Sequence, residues 1–355
     1  RNGEKIAEIP HSTGTFYRDT YSGNEKAVYT VKPVINGVET GKLNGNYTLP
    51  ANAPSGYIDI PLDRPAEGVT PSGQKYTYSP NDASIGDVDG DGEYEIILKW
   101  DPSNAHDNAH DGYTGNVYFD CYRLTGEKLW RIDLGHNVRA GAHYTQFMVF
   151  DLDGDGKAEV VMKTSDGTKD GKGKIIGDAK ADYREPGITD GNSYGNTPRN
   201  QGRILTGNEY LTVFNGLTGE AMKTIDYVPA RGKLTDWGDN RANRSDRFLA
   251  CVAYLDGVHP SVVMCRGYYT RTVLAAFDWD GKNLKQHWVF DSNNPGCEDY
   301  AGQGNHNLRV GDVDGDGCDE IMYGSCAIDH DGKGLYSTRM GHGDAMHLTQ
   351  FAPGL

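Results

Sequence analysis

Three groups of acidic side chains stand at a spacing suited to holding a hard cation. Asp87, Asp89, Asp91 and Glu95 form one, Asp151, Asp153, Asp155 and Glu159 another, and Asp312, Asp314, Asp316 and Glu320 the last. In each, carboxylates at positions 1, 3, 5 and 9 alternate with glycines at positions 4 and 6, such as Gly154 and Gly156. Glycine permits the sharp, partly left-handed turn that gathers oxygen donors around one point, which is the chemistry of a calcium loop. Carboxylates packed this closely repel one another unless a cation neutralises them, so several bound Ca2+ ions are expected. A worn copy survives at Asp256-Gly257.

The elements around these loops decide what kind of loop they are. An EF-hand needs flanking helices and a glutamate at position 12. Position 12 here is Leu98, Met162 or Tyr323, inside the short apolar runs Ile96-Ile97-Leu98, Val160-Val161-Met162 and Ile321-Met322-Tyr323. Such runs, bounded by turn residues, predict buried strands. Each loop is therefore expected to join two strands and to act as a clip, its own carboxylates leaving little room for a substrate.

Composition narrows the class. The chain has 355 residues, 37% of them hydrophobic, enough for a sizeable core. No stretch keeps a 3.6-residue period, so an all-β class is expected. A net charge of −15 argues against a nucleic-acid partner, which needs a basic surface, and no segment has the length and apolarity of a membrane span. Six cysteines permit disulfides, but their spacing matches neither a zinc motif nor a small disulfide scaffold, and free buried thiols fit Cys251 and Cys265. Calcium loops fill readily outside the cytosol, so a secreted, cell-surface or periplasmic location is expected. Arg1 opens no signal peptide, and any such segment is taken to have been removed.

Along the chain, residues 1–60 read as the last strands of a small sandwich of fibronectin-III-like type, with a hairpin at Asn36-Gly37. Residues 61–80, rich in Pro, Gly, Ser and Thr, read as a linker. From residue 81 to 355 a repeat takes over: acidic loop, strand, then an alternating strand closed by a turn, as in Gly115–Trp130, Tyr210–Glu220 and Val273–Lys282. Repeats of short strands at such intervals predict β-propeller blades, about four of them in this chain. An insertion from Ser165 to Gly207 shows no strand pattern, and loops of that length are usually functional or disordered. The last residues, Phe351 to Leu355, fall where another blade would begin, so the ring is expected to be completed by a second polypeptide or a missing C-terminal half.

Several longer stretches carry a resemblance. Ser79–Asp87 with Lys99–Asn104, Arg139–Phe147, Ala301–Asn307 and Gly341–His347 resemble polysaccharide lyase family 11, the rhamnogalacturonan lyases. The resemblance covers nearly the whole chain. It implies a calcium-decorated propeller, eight-bladed in the family, behind a small β domain. The implied activity is cleavage of rhamnogalacturonan I, an acidic plant cell-wall polysaccharide, by β-elimination. By the same resemblance Asn81 and Asp101 contact sugar, and His306, His342 and Asp344 hold a metal in the cleft. Without it, Asn81 reads as a turn cap, Asp101 as a turn start and the histidines as hydrogen-bonded side chains, imidazole being an uncommon calcium ligand. The catalytic Arg and Lys that the family implies have no counterpart before Leu355, which leaves the catalytic residues unassigned.

The residues alone leave other candidates open. His143 could reach the cleft. Trp100, Tyr144 and Trp237 could stack on sugars or pack in the core. Arg231, Arg266 and Arg271 could clamp uronate carboxylates or form internal ion pairs. Two further functions are compatible with the pattern: a non-catalytic calcium propeller that binds glycans or adhesion partners, and a hydrolase working through paired carboxylates.

Overall fold

The computed structural model describes residues 1–10, 16–40, 45–53, 57–189, 197–349. Among them the chain is all-β, with helix confined to the 3-10 turns Leu234–Trp237 and Glu298–Tyr300. The expected loop–strand repeat is visible as four antiparallel sheets. Six short strands precede them: β1 (Ala27–Thr30), β2 (Val34–Ile35), β3 (Val38–Glu39), β4 (Asn46–Leu49), β5 (Gly68–Val69) and β6 (Lys75–Tyr76). Sheet 1 holds β7 (Tyr78–Gly86), β8 (Glu95–Pro102), β9 (Tyr118–Tyr122) and β10 (Lys128–Asp133). Sheet 2 holds β11 (Phe147–Phe150), β12 (Glu159–Ser165), β13 (Glu209–Asn215) and β14 (Ala221–Asp226). Sheet 3 holds β15 (Phe248–Ala253), β16 (Ser261–Arg266), β17 (Val273–Trp279) and β18 (Leu284–Asp291). Sheet 4 holds β19 (Arg309–Gly311), β20 (Glu320–Met322), β21 (Cys326–Ile328) and β22 (Gly334–Ser337). In each sheet the four strands pair in chain order, and the first strand of one sheet lies beside the first strand of the next, from β7 to β11 to β15 to β19.

Strand periodicity explains the stacking. Alternate residues of a strand face opposite sides. In β12, Val160 and Met162 pack into a core with Ile97, Phe119 and Trp130 of sheet 1, whereas Val161 between them joins Val262, Met264 and Phe277 of sheet 3. In β16 the same split repeats, with Val263 and Cys265 facing Ile321, Cys326 and Ile328 of sheet 4. The run Val160-Val161-Met162 is apolar at consecutive positions because both faces of the strand are covered. Phe214 and Phe277 are fully buried in these layers, and truncating either to alanine should cost roughly 3–5 kcal/mol.

The segment before residue 81 is docked on sheet 1. Asn36 and Gly37 adopt positive φ of 51° and 78° in the β2–β3 turn, which is the predicted hairpin. The Asn46 N–H donates to the Gly92 carbonyl at 3.0 Å, tying β4 to the first acidic loop. Residues 61–80 do more than span a gap. They form the β5–β6 hairpin, and Asp63 bonds to Tyr122, Lys128 and Arg131 on the outer strands. Part of the Ser165–Gly207 insertion gathers around the Asp166 carboxylate. That carboxylate accepts from Tyr183, Asn208, Tyr210 and the Asp178 N–H. The residues after Thr349 lie outside the described structure.

Candidate functional site

Each acidic loop joins the first and second strands of its sheet, so the loops stand at one end of the sheets and Asn81 and Asp101 at the other. The loops share one internal wiring. Asp151 accepts from the Gly154 and Gly156 N–H groups at 2.9 and 3.0 Å, Asp153 from Asp155, Asp155 from Lys157, and Glu159 from the Leu152 N–H at 3.0 Å. Loops 87–95 and 312–320 repeat this pattern. Their charge balance differs. In the first, Arg123 bonds Glu95 at 3.1 Å and Asp89 at 2.7 Å. Burial and the neighbouring aspartates push Glu159 of the second up to about 7, so this carboxylate waits for a counter-charge. Asp87, Asp89 and Glu95, like Asp151, Asp153 and Glu159, bring ligand atoms within 4.8 Å of one another, which fits a hard divalent ion. The worn copy is spent internally. Asp256 accepts from the Val258 and His259 N–H groups and meets the His259 ring at 2.7 Å.

The opposite end carries the cleft. A bulge in β7 between Pro80 and Ala83 leaves Asn81 and Asp82 out of the ladder. Both lie inside β7, and Asp101 lies inside β8 opposite Ser79, so neither Asn81 nor Asp101 occupies the turn that their neighbours suggest. Asn81, Asp82 and Asp101 line a pocket of about 370 Å³ with His106, Asp107, Gly141 and Ala142. Asp101 Oδ1 is buried without a hydrogen-bond partner, and burial raises its pKa. Such an oxygen has a use if a ligand hydroxyl reaches it. Asp82 accepts from the buried Lys99 at 2.5 Å. Gly141 is required here, since a β-carbon would stand 2.0 Å from the His106 carbonyl oxygen.

Asp82 also lines the neighbouring pocket, of about 310 Å³, with Thr145, Gln146 and His306, so the two pockets adjoin and are treated together as the cleft. At its far side His143, Tyr268, Tyr269, His306 and His342 make a ring-lined wall. The Tyr268 hydroxyl lies 3.2 Å from His143 Nδ1 and 3.1 Å from His306 Nδ1, and the Tyr269 hydroxyl 3.3 Å from His306 Nε2. His342 Nδ1 is 2.5 Å from the Gly304 carbonyl, which can only accept, so the proton sits there and Nε2 keeps its lone pair. His306, His342 and Asp344 bring ligand atoms within 4.8 Å of one another, and the Asp344 side chain is 96% exposed. A half-buried imidazole pair beside an open carboxylate fits a divalent ion that keeps free positions for a ligand. Burial, with Arg247 and His306 beside it, pushes His143 down to about 4, so it is a neutral imidazole at neutral pH.

Several cleft groups escape sequence reading. Asp107 links the two halves, 3.4 Å from Arg247 and 3.7 Å from His143. Arg244 and Arg247 lie over the Tyr269 ring at 4.2 and 5.2 Å. The basic run Arg241–Arg247 and the paired tyrosines are the signals that could have found them. Other candidates turn out to be internal. Trp100 donates to Asp120 at 2.8 Å, Trp237 to the Arg231 carbonyl at 2.6 Å, and Tyr144 accepts from Arg139 at 2.7 Å, each ring being buried. None of the three is placed to stack on a sugar. Arg231 and Arg266 pair with Glu209, and Arg271 with Asp291 at 2.5 Å, so no guanidinium of the three is free for a uronate. All six cysteines are free.

Residues 57–355 match the model of "Rhamnogalacturonan lyase family 11, C-terminal domain". The chain is 59% identical over 353 residues to the rhamnogalacturonan exolyase YesX of Bacillus subtilis, covering 99% of this chain and 55% of that protein. It is 56% identical over 356 residues to the rhamnogalacturonan endolyase YesW of the same organism, covering 54% of it. The chain thus spans about half the length of the curated relatives it matches. The crystal structure of the exotype lyase YesX aligns over 98% of this chain and 54% of its own, at 60% identity and a TM-score of 0.83. A Bacillus licheniformis rhamnogalacturonan lyase aligns over 93% of this chain and 53% of its own, at 60% identity and a TM-score of 0.82. On this match the chain belongs to rhamnogalacturonan lyase family 11.

Proposed function

We propose that these four sheets are consecutive blades of a calcium-decorated β-propeller. In this reading the whole protein cleaves the rhamnosyl–galacturonosyl backbone of rhamnogalacturonan I by β-elimination. The observation that carries it is that Asn81 and Asp101 line one pocket and His306, grouped with His342 and Asp344, lines the adjoining one, at the end of the sheets away from the acidic loops. In β-elimination a base removes the C5 proton of the uronate, the electron pair forms a C4–C5 double bond, and the C4–O bond breaks. His306, His342 and Asp344 would hold a divalent cation, which would supply positive charge for the substrate carboxylate. Asn81 and Asp101 hold sugar hydroxyls, and Arg244 and Arg247 keep that wall cationic. No residue of this chain is assigned as the base. A polymer-degrading role agrees with a secreted, cell-surface or periplasmic site of action.

The product carries a double bond conjugated to a carboxylate. Full-length protein with rhamnogalacturonan I and calcium should raise ultraviolet absorbance, and EDTA should abolish the rise. Retention of the polymer with no new absorbance, with or without calcium, would support a glycan-binding propeller instead.

The acidic loops make a separate prediction. Calcium added to the chelator-stripped protein should raise its melting temperature. A single site filled at a hundred times its Kd contributes about 2.7 kcal/mol. A melting curve indifferent to both calcium and EDTA contradicts the assignment of calcium to the loops of sheets 1 and 2, Asp87, Asp89, Asp91 and Glu95 with Asp151, Asp153, Asp155 and Glu159. A substrate-side test is Asp101→Asn, which should lower kcat/KM by roughly tenfold, the scale of one hydrogen bond to a charged group. Unchanged kcat/KM would remove Asp101 from the cleft's contacts with sugar.

A further inference from the structure

The loop of sheet 4 differs from its counterparts in the softness of its donors. Position 7 of the loop is Glu93 in sheet 1, Lys157 in sheet 2 and Cys318 in sheet 4. The β-turn that faces the loop carries Arg123-Leu124 in sheet 1 and Asn215-Gly216 in sheet 2, where Asn215 pairs with Glu159. In sheet 4 the corresponding residues are Asp329-His330, one step beyond the Ile321–Ile328 pair. Only this loop therefore meets both a thiol and an imidazole. His330 is held in place from the neighbouring sheet, its carbonyl accepting from Trp288 Nε1 at 2.9 Å.

The donors are close and unsatisfied. Ligand atoms of Asp316, Cys318 and His330 lie within 4.8 Å of one another, as do those of Glu320, Asp329 and His330. His330 Nδ1 is common to the ion-pair contacts, 3.3 Å from Asp316 Oδ2 and 4.0 Å from Glu320 Oε1. The Glu320 side chain has no exposure, and its Oε1, facing this cluster, has no hydrogen-bond partner. His330 Nδ1 also makes no hydrogen bond, in spite of Asp329 Oδ1 at 2.9 Å. A wholly buried carboxylate oxygen left unpaired costs free energy unless something binds it. A thiol, an imidazole and two carboxylates suit a borderline four-coordinate ion of the zinc class far better than calcium, which takes six to eight oxygens.

We propose that Asp316, Cys318, Glu320 and His330 form a binding site for a divalent transition metal of the zinc class. This ion takes the place of calcium at the sheet-4 loop, and the site is separate from the cleft and independent of the lyase reading. Cobalt(II) is the probe, because thiolate ligation gives it a near-ultraviolet charge-transfer band and tetrahedral geometry gives intense visible bands. Chelator-stripped full-length protein, titrated with cobalt in excess calcium, should show both. Cys318→Ser and His330→Gln should lose them and bind zinc at least ~100-fold more weakly, whereas His342→Ala should keep them. Absence of the bands in the unsubstituted protein would overturn the proposal without recourse to any variant. So would bands that survive both Cys318→Ser and His330→Gln, or bands lost in His342→Ala.

Discussion

His342→Ala in the full-length protein should lower kcat/KM for rhamnogalacturonan I by at least ~100-fold, with little change in melting temperature. The imidazole is half-buried, its Nδ1 committed to the Gly304 carbonyl, and its Nε2 lone pair is the feature that the substitution removes. The ring also stacks on Tyr268, with centroids 5.6 Å apart and planes at 7°, and lies 4.2 Å from Tyr269. Alanine thus loosens both tyrosines that flank His306. His342→Gln separates the two effects. It keeps part of the packing and an N–H for Gly304, but offers a carboxamide where the ligand nitrogen stood. Recovery of activity in His342→Gln, together with unchanged calcium dependence, would show that the ring packs the cleft rather than holding an ion.

Glu209→Ala should cost about 3–5 kcal/mol of stability, read as a fall in the urea midpoint. Glu209 accepts from Arg266 at 2.8 and 2.9 Å and from Arg231 at 2.8 Å, with Lys163 at 3.3 Å, and the whole set is nearly inaccessible to solvent. Asp246 supplies the remaining negative charge, 3.5 Å from Arg266. Removing Glu209 leaves three buried cations facing one carboxylate. The pH dependence has a definite sign. Burial opposes ionisation of Glu209, but Arg266, Lys163 and Arg231 overcome it and hold the carboxyl far below the usual range. A depressed carboxyl pKa stabilises the fold above the unfolded value of about 4.3 and loses that contribution as pH falls through strongly acidic values. The difference between unsubstituted protein and Glu209→Ala should therefore shrink below about pH 4. A cost under about 1 kcal/mol would mean that the cations relax to water on truncation.

The acidic loops were legible in the sequence because all their carboxylates and both glycines fall within nine consecutive positions. The β-strands after them were legible from apolar runs that prove to be covered on both faces, as at Glu159–Ser165. The Asn36-Gly37 turn was readable for the same local reason. The cleft was only partly readable. Its side chains come from β7 and β8, from the segment after β8, from the stretches before β11, β15 and β19, and from those after β16 and β22, so no local spacing links Asp107 to Arg247 or His143 to His306. Family resemblance, not residue pattern, pointed to Asn81, Asp101, His306, His342 and Asp344. The aromatic candidates went astray because a tryptophan in a strand shows its identity in the sequence but not which face it lies on. Trp100 sits beside Leu98 on the same side of β8 and is buried with it. The arginines misled similarly, since Arg266 finds Glu209 only when sheets 2 and 3 stack.

Cleavage of rhamnogalacturonan I by the full-length protein in water enriched with heavy oxygen tests the central claim most directly. Elimination breaks the C4–O bond without adding water, so the products should carry no heavy oxygen at the broken linkage and should show the unsaturated uronate by mass. Heavy oxygen incorporated at that linkage, with saturated product ends, would contradict the account and place the chemistry with paired-carboxylate hydrolysis.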